Sequence, residues 1–285
     1  MRSFALIVAV AACGGGGGDA APDAAVNPDP DFDDSAAWIE VSLRTYSDGS
    51  GGDTYIDGNL ITDAPLWPYD VEPVDGACRL STRRPMTCDP PCEVDQACVG
   101  AACATRPQVR SAGLINVAGG GAIRTIPFAA AGYQLYERGL PFAPGNEITT
   151  SAPGAEVAAF SMTAVTPSSL ELIGVAELRL RPATPLVLRW RPADPGSRVR
   201  ITLGADLGHA QYRSVVIECD APDEHGAVAV PQDMVDRLAD PASWGCGDCF
   251  PHELRRYRRG RTTAAALPLS LWVSQRASLY LVPER

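Results

Sequence analysis

Apolar side chains recur at every second position along most of the chain, and that period decides the fold class. Val199, Ile201 and Leu203 alternate with Arg198, Arg200 and Thr202; Leu178 and Leu180 alternate with Glu177, Arg179 and Arg181; Leu269, Leu271 and Val273 alternate with Ser270, Trp272 and Ser274. Successive side chains of a strand point to opposite faces, so each run predicts a strand with one dry and one wet face. Similar runs span Trp38 to Arg44, Glu156 to Val165, Pro185 to Trp190, Tyr212 to Glu218 and Ala277 to Val282, bounded by turns such as Ala193-Asp194-Pro195-Gly196. Only Pro231 to Leu238 and Pro251 to Arg258 read as helices, each short with Pro at its first position. Closely spaced strands with few short helices predict an all-β fold, an antiparallel β-sandwich, and argue against a parallel α/β sheet.

The front of the chain has a different texture. Phe4 to Ala12 are nine uninterrupted apolar residues after a single charge at Arg2. A membrane-spanning helix needs about 20 apolar residues, so this run reads as part of a removed export signal, residues 1–12. Val10-Ala11-Ala12-Cys13, a cysteine after small residues, resembles the lipobox of bacterial lipoproteins. The resemblance implies cleavage before Cys13, acylation of that residue, and a membrane partner held through the anchor. One acyl group binds marginally and two hold stably, at about 0.8 kcal/mol per buried methylene. Gly14 rather than Asp after the cysteine implies, by the same resemblance, an outer-membrane destination in the cell envelope. From Gly14 to Ala37 the composition is mostly Gly, Ala, Pro and Asp, with Phe32 the only large apolar side chain besides Val26. Such a segment buries too little to offset the entropy of ordering, so 13–36 is expected to be a flexible tether. Asp29-Pro30-Asp31-Phe32-Asp33-Asp34 lacks the Gly and distal Glu of an EF-hand loop and reads as a solvated acidic linker.

Residues 37–285 suffice for one large β domain or two smaller ones, and 46% hydrophobic content is that of an ordinary globular protein. All 24 basic residues are Arg, a pattern that reports a GC-rich genome rather than a demand for guanidinium groups. Residues 1–105 hold 17 acidic residues against 5 Arg, and 106–285 hold 17 against 19. An acidic front argues against nucleic acid as partner, because phosphate binding rests on neutralising charge. The one basic cluster, Arg255-Arg256-Tyr257-Arg258-Arg259-Gly260-Arg261, offers a grip for an anionic head group or an acidic partner, or else forms a solvated turn, the commoner fate of such runs.

With Cys13 set aside, eight cysteines remain, an even set in a compartment that oxidises thiols. Cys88, Cys92, Cys98 and Cys103 form a compact unit with few apolar residues, expected as a disulfide-rich insertion at about 76–105. It resembles small EGF-like and other Cys-rich extracellular hairpins, and that resemblance implies interleaved bridges, Cys88 to Cys98 and Cys92 to Cys103. Cys78, Cys219, Cys246 and Cys249 are left for two more. Trp244-Gly245-Cys246-Gly247-Asp248-Cys249, with His252 following, admits three readings. One is structural, with one cysteine of the pair bridging Cys219 and the other Cys78. The second is a zinc set of Cys219, Cys246, Cys249 and His252. The third is a redox dithiol, which would want a βαβ context missing here. An oxidising compartment favours the structural reading, with no metal and no cofactor.

Catalytic motifs are thin. His209, His225 and His252 lie in no His-Glu-x-x-His helix, and no Gly-x-Ser-x-Gly elbow is present. His209 and His225 sit beside Gly and read as loop histidines; Asp223 and Glu224 are neighbours in a Pro-containing turn. Gly119-Gly120-Gly121 lacks the Lys-Ser or Lys-Thr of a phosphate loop and reads as a hairpin turn. Trp67-Pro68-Tyr69, Tyr133, Tyr136 and Trp244 lie near turns, where exposed aromatics stack on sugar faces, although burial is their default. The Cys-rich hairpin, Ser111-Ala112-Gly113, Pro141-Phe142-Ala143-Pro144-Gly145 and Trp190-Arg191-Pro192 together resemble β-rich lipoproteins of the myxobacterial type. That resemblance implies architecture alone: one β domain begun before Cys78 and resumed after Cys103. The expected function is a lipid-anchored envelope module that binds glycan or protein. The alternatives are an exported hydrolase with dispersed site residues, and a zinc or redox protein centred on Cys246 and Cys249.

Overall fold

The computed structural model describes residues 30–32, 35–46, 50–62, 68–84, 87–174, 177–206, 213–240 and 252–283. In sequence order the strands are β1 (Ala37–Thr45), β2 (Gly52–Leu60), β3 (Tyr69–Val71), β4 (Cys78–Arg83), β5 (Gln96–Val99), β6 (Ala102–Thr105), β7 (Ile115–Gly119), β8 (Ala122–Ile126), β9 (Phe128–Ala129), β10 (Gly132–Arg138), β11 (Glu147–Ala152) and β12 (Phe160–Val165). They continue as β13 (Glu177–Leu180), β14 (Leu186–Arg189), β15 (Arg198–Asp206), β16 (Arg213–Pro222), β17 (Ala227–Val230), β18 (His252–Ala264) and β19 (Leu267–Pro283). One α-helix, α1 (Gln232–Ala239), and a 3-10 turn at Asp223–His225 complete the described elements. The fold is all-β. None of the described helices is long and apolar enough to cross a membrane.

One sheet organises the rest, in the order β3-β4-β16-β15-β18-β19-β1-β2-β10-β9, with β13 also paired to β19. Its ladders are antiparallel except along one side of β19, where β1 pairs with residues 270–276 and β13 with residues 280–283, both in parallel. The two apolar runs read at Leu269–Val273 and Ala277–Val282 are therefore one 17-residue strand.

The inner face of this sheet backs two apolar cores. Val199, Ile201 and Leu203 of β15, with Ile217 and Leu80, pack under α1 and the β14–β17 pair, which supply Val235, Leu238, Leu188 and Val230. Ile39, Val41 and Leu43 of β1, with Ile56, Leu271 and Val273, face the second sheet, β12-β11-β7-β8, through Ile115, Val117, Ile148 and Met162. That half is a two-sheet sandwich. At Gly260 a Cβ would lie 2.1 Å from the Thr163 carbonyl oxygen, so the absence of a side chain there lets the sheets close.

Gly120 and Gly121 form the β7–β8 turn as expected, with φ of +56° and +82°, the pair of positive values that a two-residue hairpin of primed type requires. α1 forms where Pro231 to Leu238 predicts a helix, with Pro231 as its N-cap. The helix expected over Pro251 to Arg258 is not formed, and residues 252 onward are β18. Leu254 and Tyr257 imitate the three-residue spacing of a helix, yet they point to opposite faces of a strand paired on both sides, to β15 and to β19. For the same reason the basic cluster is no solvated turn: its arginines are divided between the two faces of the central sheet.

Candidate functional site

The register defines a second, polar face opposite the cores. Across the sheet run Asp220, Arg200, Arg255 and Arg276 in one row, and Arg198, Tyr257, Ser274, Ser42, Tyr55 and Tyr136 in the next. Arg259, Trp272, Glu40 and Asp57 form a third. The alternation that sends Val199, Ile201, Leu271 and Ile39 inward places all of these outward. The outer face is thus a layer of guanidinium, carboxylate and aromatic groups.

At one end Asp220, with no solvent exposure, is a hub. Its Oδ1 accepts from Arg198 Nε at 2.5 Å and its Oδ2 from Tyr257 Oη at 2.6 Å and Arg200 Nε at 3.2 Å. Burial, then the Asp220 charge, pushes the Tyr257 phenol far above its ordinary value, so it stays a donor. Arg200 lies over both Tyr257 and Trp272, with its guanidinium carbon 5.6 and 4.8 Å from the ring centroids, and Arg259 lies 4.6 Å over Trp272. Onto this surface the polypeptide lays Asp31 and Phe32. The Asp31 carboxylate pairs with Arg259 and with Arg261, the latter at 2.9 Å; its carbonyl oxygen accepts from Arg200 at 2.5 Å, and its N–H donates to Asp220 at 3.2 Å. The Phe32 ring sits 4.4 Å from the Arg79 guanidinium and 5.6 Å from that of Arg200. The acidic run at 29–34 is therefore not solvated throughout: two of its residues are docked. The signal was Phe32, the one aromatic in an otherwise small and polar tether.

In the middle of the face Glu40 is buried between Arg255 and Arg276 and accepts from Ser274 Oγ at 2.9 Å. Burial alone would raise its carboxyl, but Arg255 and Arg276 reverse that and hold it at about 2. Its cross-strand partner Asp57 is pushed the other way, by burial first and by the Glu40 charge second.

At the far end an aromatic group opens to solvent. Tyr136 is 53% exposed and packs on Tyr55 with ring centroids 5.0 Å apart. Asp53 accepts from the hydroxyls of Tyr46 at 2.6 Å and Tyr136 at 2.9 Å, and these bonds raise both phenols. Arg44 and Arg138, cross-strand partners of Asp53, are exposed beside them.

Of the aromatics singled out from sequence, Tyr136 lies on this face, whereas Tyr133 is core. Its ring is buried and its hydroxyl links the main sheet to the 112–113 turn, accepting from Ala112 N–H and donating to the Gly113 carbonyl. Trp67 and Trp244 lie outside the described residues, as do Cys13, His209, Cys246 and Cys249. His225 is exposed beside Glu224, while Asp223 is buried.

The insertion carries the interleaved bridges Cys88–Cys98 and Cys92–Cys103. Cys78 and Cys219 bond to each other, not to Cys246 and Cys249. They are direct register partners on β4 and β16, so the ladder itself brings the sulfurs together. Cys219 thus leaves the zinc set. The buried His252 takes another role: its Nδ1 accepts from Gly204 N–H at 3.2 Å, just beyond the last β15–β18 pair. The group of Cys88, Cys92 and Cys103 has its sulfurs within 4.8 Å of one another because bridges gather them.

Neither protein-family models nor curated protein sequences match this protein.

Proposed function

We propose that the protein is a binding module of the bacterial cell envelope, exported and lipid-anchored at Cys13, that takes glycan on the tyrosine end of its polar sheet face. The observation that carries this reading is the pair Tyr136 and Tyr55, with Tyr136 half open to solvent and fixed through its hydroxyl to Asp53. A preset aromatic ring offers a flat apolar surface to the C–H face of a sugar, and the flanking Arg44 and Arg138 supply donors for hydroxyl or carboxylate substituents. Aromatic side chains with only two rotatable angles lose little entropy on binding, which suits shallow carbohydrate surfaces. Envelope export is in keeping with the lipobox resemblance and with three disulfides among the described residues.

The test is an oligosaccharide panel drawn from envelope glycans, read by glycan array and then titration calorimetry. At least one glycan should bind, and Tyr136→Ala should weaken that binding about tenfold, the scale of one lost aromatic anchor. Binding unaffected by Tyr136→Ala, or no binding across the panel, rejects the assignment.

A further inference from the structure

The arginine end of the face already holds a ligand, and it is part of the same polypeptide. Asp31 is bound through three chemically distinct groups: its carboxylate by Arg259 and Arg261, its carbonyl oxygen by Arg200, and its N–H by Asp220. The next residue places a ring against two guanidinium planes. Recognition of backbone N–H, backbone C=O, an acidic side chain and an aromatic neighbour is the signature of a peptide site, because a free anion would use only the carboxylate contacts.

The surface suits an acidic visitor independently of the arm. Among the described residues of this end, Arg79 pairs with Glu218, Arg198 and Arg200 pair with Asp220, and Arg259 and Arg261 pair with Asp31 of the arm. Arg261 keeps 59% of its side chain exposed, and an open depression lined by Ser35, Arg261, Thr262 and Ser270 adjoins it. The docked stretch is short and contributes no strand to the sheet, so its release would leave every ladder intact. Few groups would have to be given up for another segment to enter.

We propose that this surface is a docking site for an acidic peptide segment of a partner protein, an Asp followed by an aromatic residue, and that Asp31 and Phe32 occupy it in cis. The arm then competes as a tethered ligand at millimolar effective concentration, and a partner binds fully only when the arm is displaced.

The experiment uses the full-length protein and a fluorescent peptide spanning residues 27–36, followed by anisotropy. Asp31→Ala combined with Phe32→Ala, both outside the strands, should leave the melting temperature nearly unchanged and raise peptide affinity by about tenfold or more over the unaltered protein. Asp31→Asn alone should give an intermediate gain. In the doubly substituted protein, Arg261→Gln should reduce the affinity about tenfold, as should replacing the Asp of the Asp-Phe pair by Asn in the peptide. The proposal is overturned if the double substitution leaves peptide affinity unchanged, if Arg261→Gln has no effect, or if an oligogalacturonate binds as tightly as the peptide and displaces it. That last outcome would make the site a carbohydrate site. Tyr136→Ala should not alter peptide binding, so failure here and failure of the glycan reading are separately visible.

Discussion

Arg256 and Asp223 form an ion pair with essentially no solvent exposure, on the core side of the central sheet. Arg256 Nε and Nη2 both lie 2.9 Å from Asp223 Oδ1, while Oδ2 accepts the N–H groups of Ala193 and Asp194. The remaining guanidinium hydrogens go to the carbonyls of Ser168, Ser169 and Arg191. Along the inner side of β18 this pair stands between Leu254, in one core, and Ala264, in the other. It ties the loops at 168–169 and 191–194 to the central strand and so couples the two halves. Arg256→Met or Asp223→Ala should each cost about 3 to 5 kcal/mol in denaturant unfolding, because each strands a buried partner. The double substitution should cost less than the sum, since either single change already loses the pair.

Loss of the Glu40 charge should weaken the fold in acid. A carboxyl held at about 2 in the folded state against 4.5 unperturbed contributes stability that is complete above about 4.5 and is lost as pH falls through 2. The contribution is about 3 kcal/mol. Asp57 acts oppositely: its raised value costs stability at neutral pH and returns it on protonation. Glu40→Gln should therefore lower stability at pH 7 by about 3 kcal/mol and flatten the decline between pH 4.5 and 2, and Asp57→Asn should stabilise at pH 7. Urea midpoints taken across pH 2 to 7 check both, and an unchanged acid limb in Glu40→Gln would remove Glu40 from that role.

How much of this was legible in the sequence depends on what each residue answers to. β15 and the front of β19 could be read because Val199 and Ile201 face one core and Leu269 and Leu271 the other, while Arg200 and Ser270 face away, a local alternation that states its own face. β18 could not, since arginines occupy both its faces and their meaning lies in Asp223, Asp31 and Glu40, up to 230 positions away. Likewise the four clustered cysteines were within reach of a local resemblance, whereas Cys78 and Cys219 meet only because β4 and β16 pair across 141 positions. The tyrosine site is half legible: Tyr136 stands near a turn, but Asp53 and Tyr55 need the β2 register to place them beside it on one face.

The three bridges should differ in their resistance to reduction. Cys78–Cys219 closes a separation of 141 residues inside a core, whereas Cys88–Cys98 and Cys92–Cys103 close 10 and 11 in a partly exposed hairpin. Loop-closure entropy assigns the first about 5 kcal/mol and the local ones about 3 kcal/mol each. Under mild native reduction, alkylation and peptide mapping should find Cys88, Cys92, Cys98 and Cys103 modified while Cys78 and Cys219 stay bonded. Paired Cys78→Ala and Cys219→Ala should lower global stability, and the four-fold alanine change in the hairpin should leave the main-sheet unfolding transition in place. Early modification of Cys219 would contradict this order.

The hairpin joining β18 to β19 turns through Ala265 and Ala266, with φ of +50° and +86°. A two-residue turn with both values positive matches the twist of its strands, but each Cβ in that region costs about 1 to 2 kcal/mol. The turn is held because thirteen cross-strand pairs, from His252↔Leu279 to Ala264↔Leu267, fix the register on either side. Asn and Gly carry no such penalty or a smaller one at these positions. Replacing Ala265 by Asn and Ala266 by Gly should therefore raise the melting temperature, by an amount equivalent to about 1 to 2 kcal/mol, and slow unfolding without altering the folded-state spectrum. Ala266→Val should do the reverse, since a β-branched side group tolerates a positive φ least. Equal stability of the Asn-Gly and Val variants would show that the two alanines are not strained as their angles require.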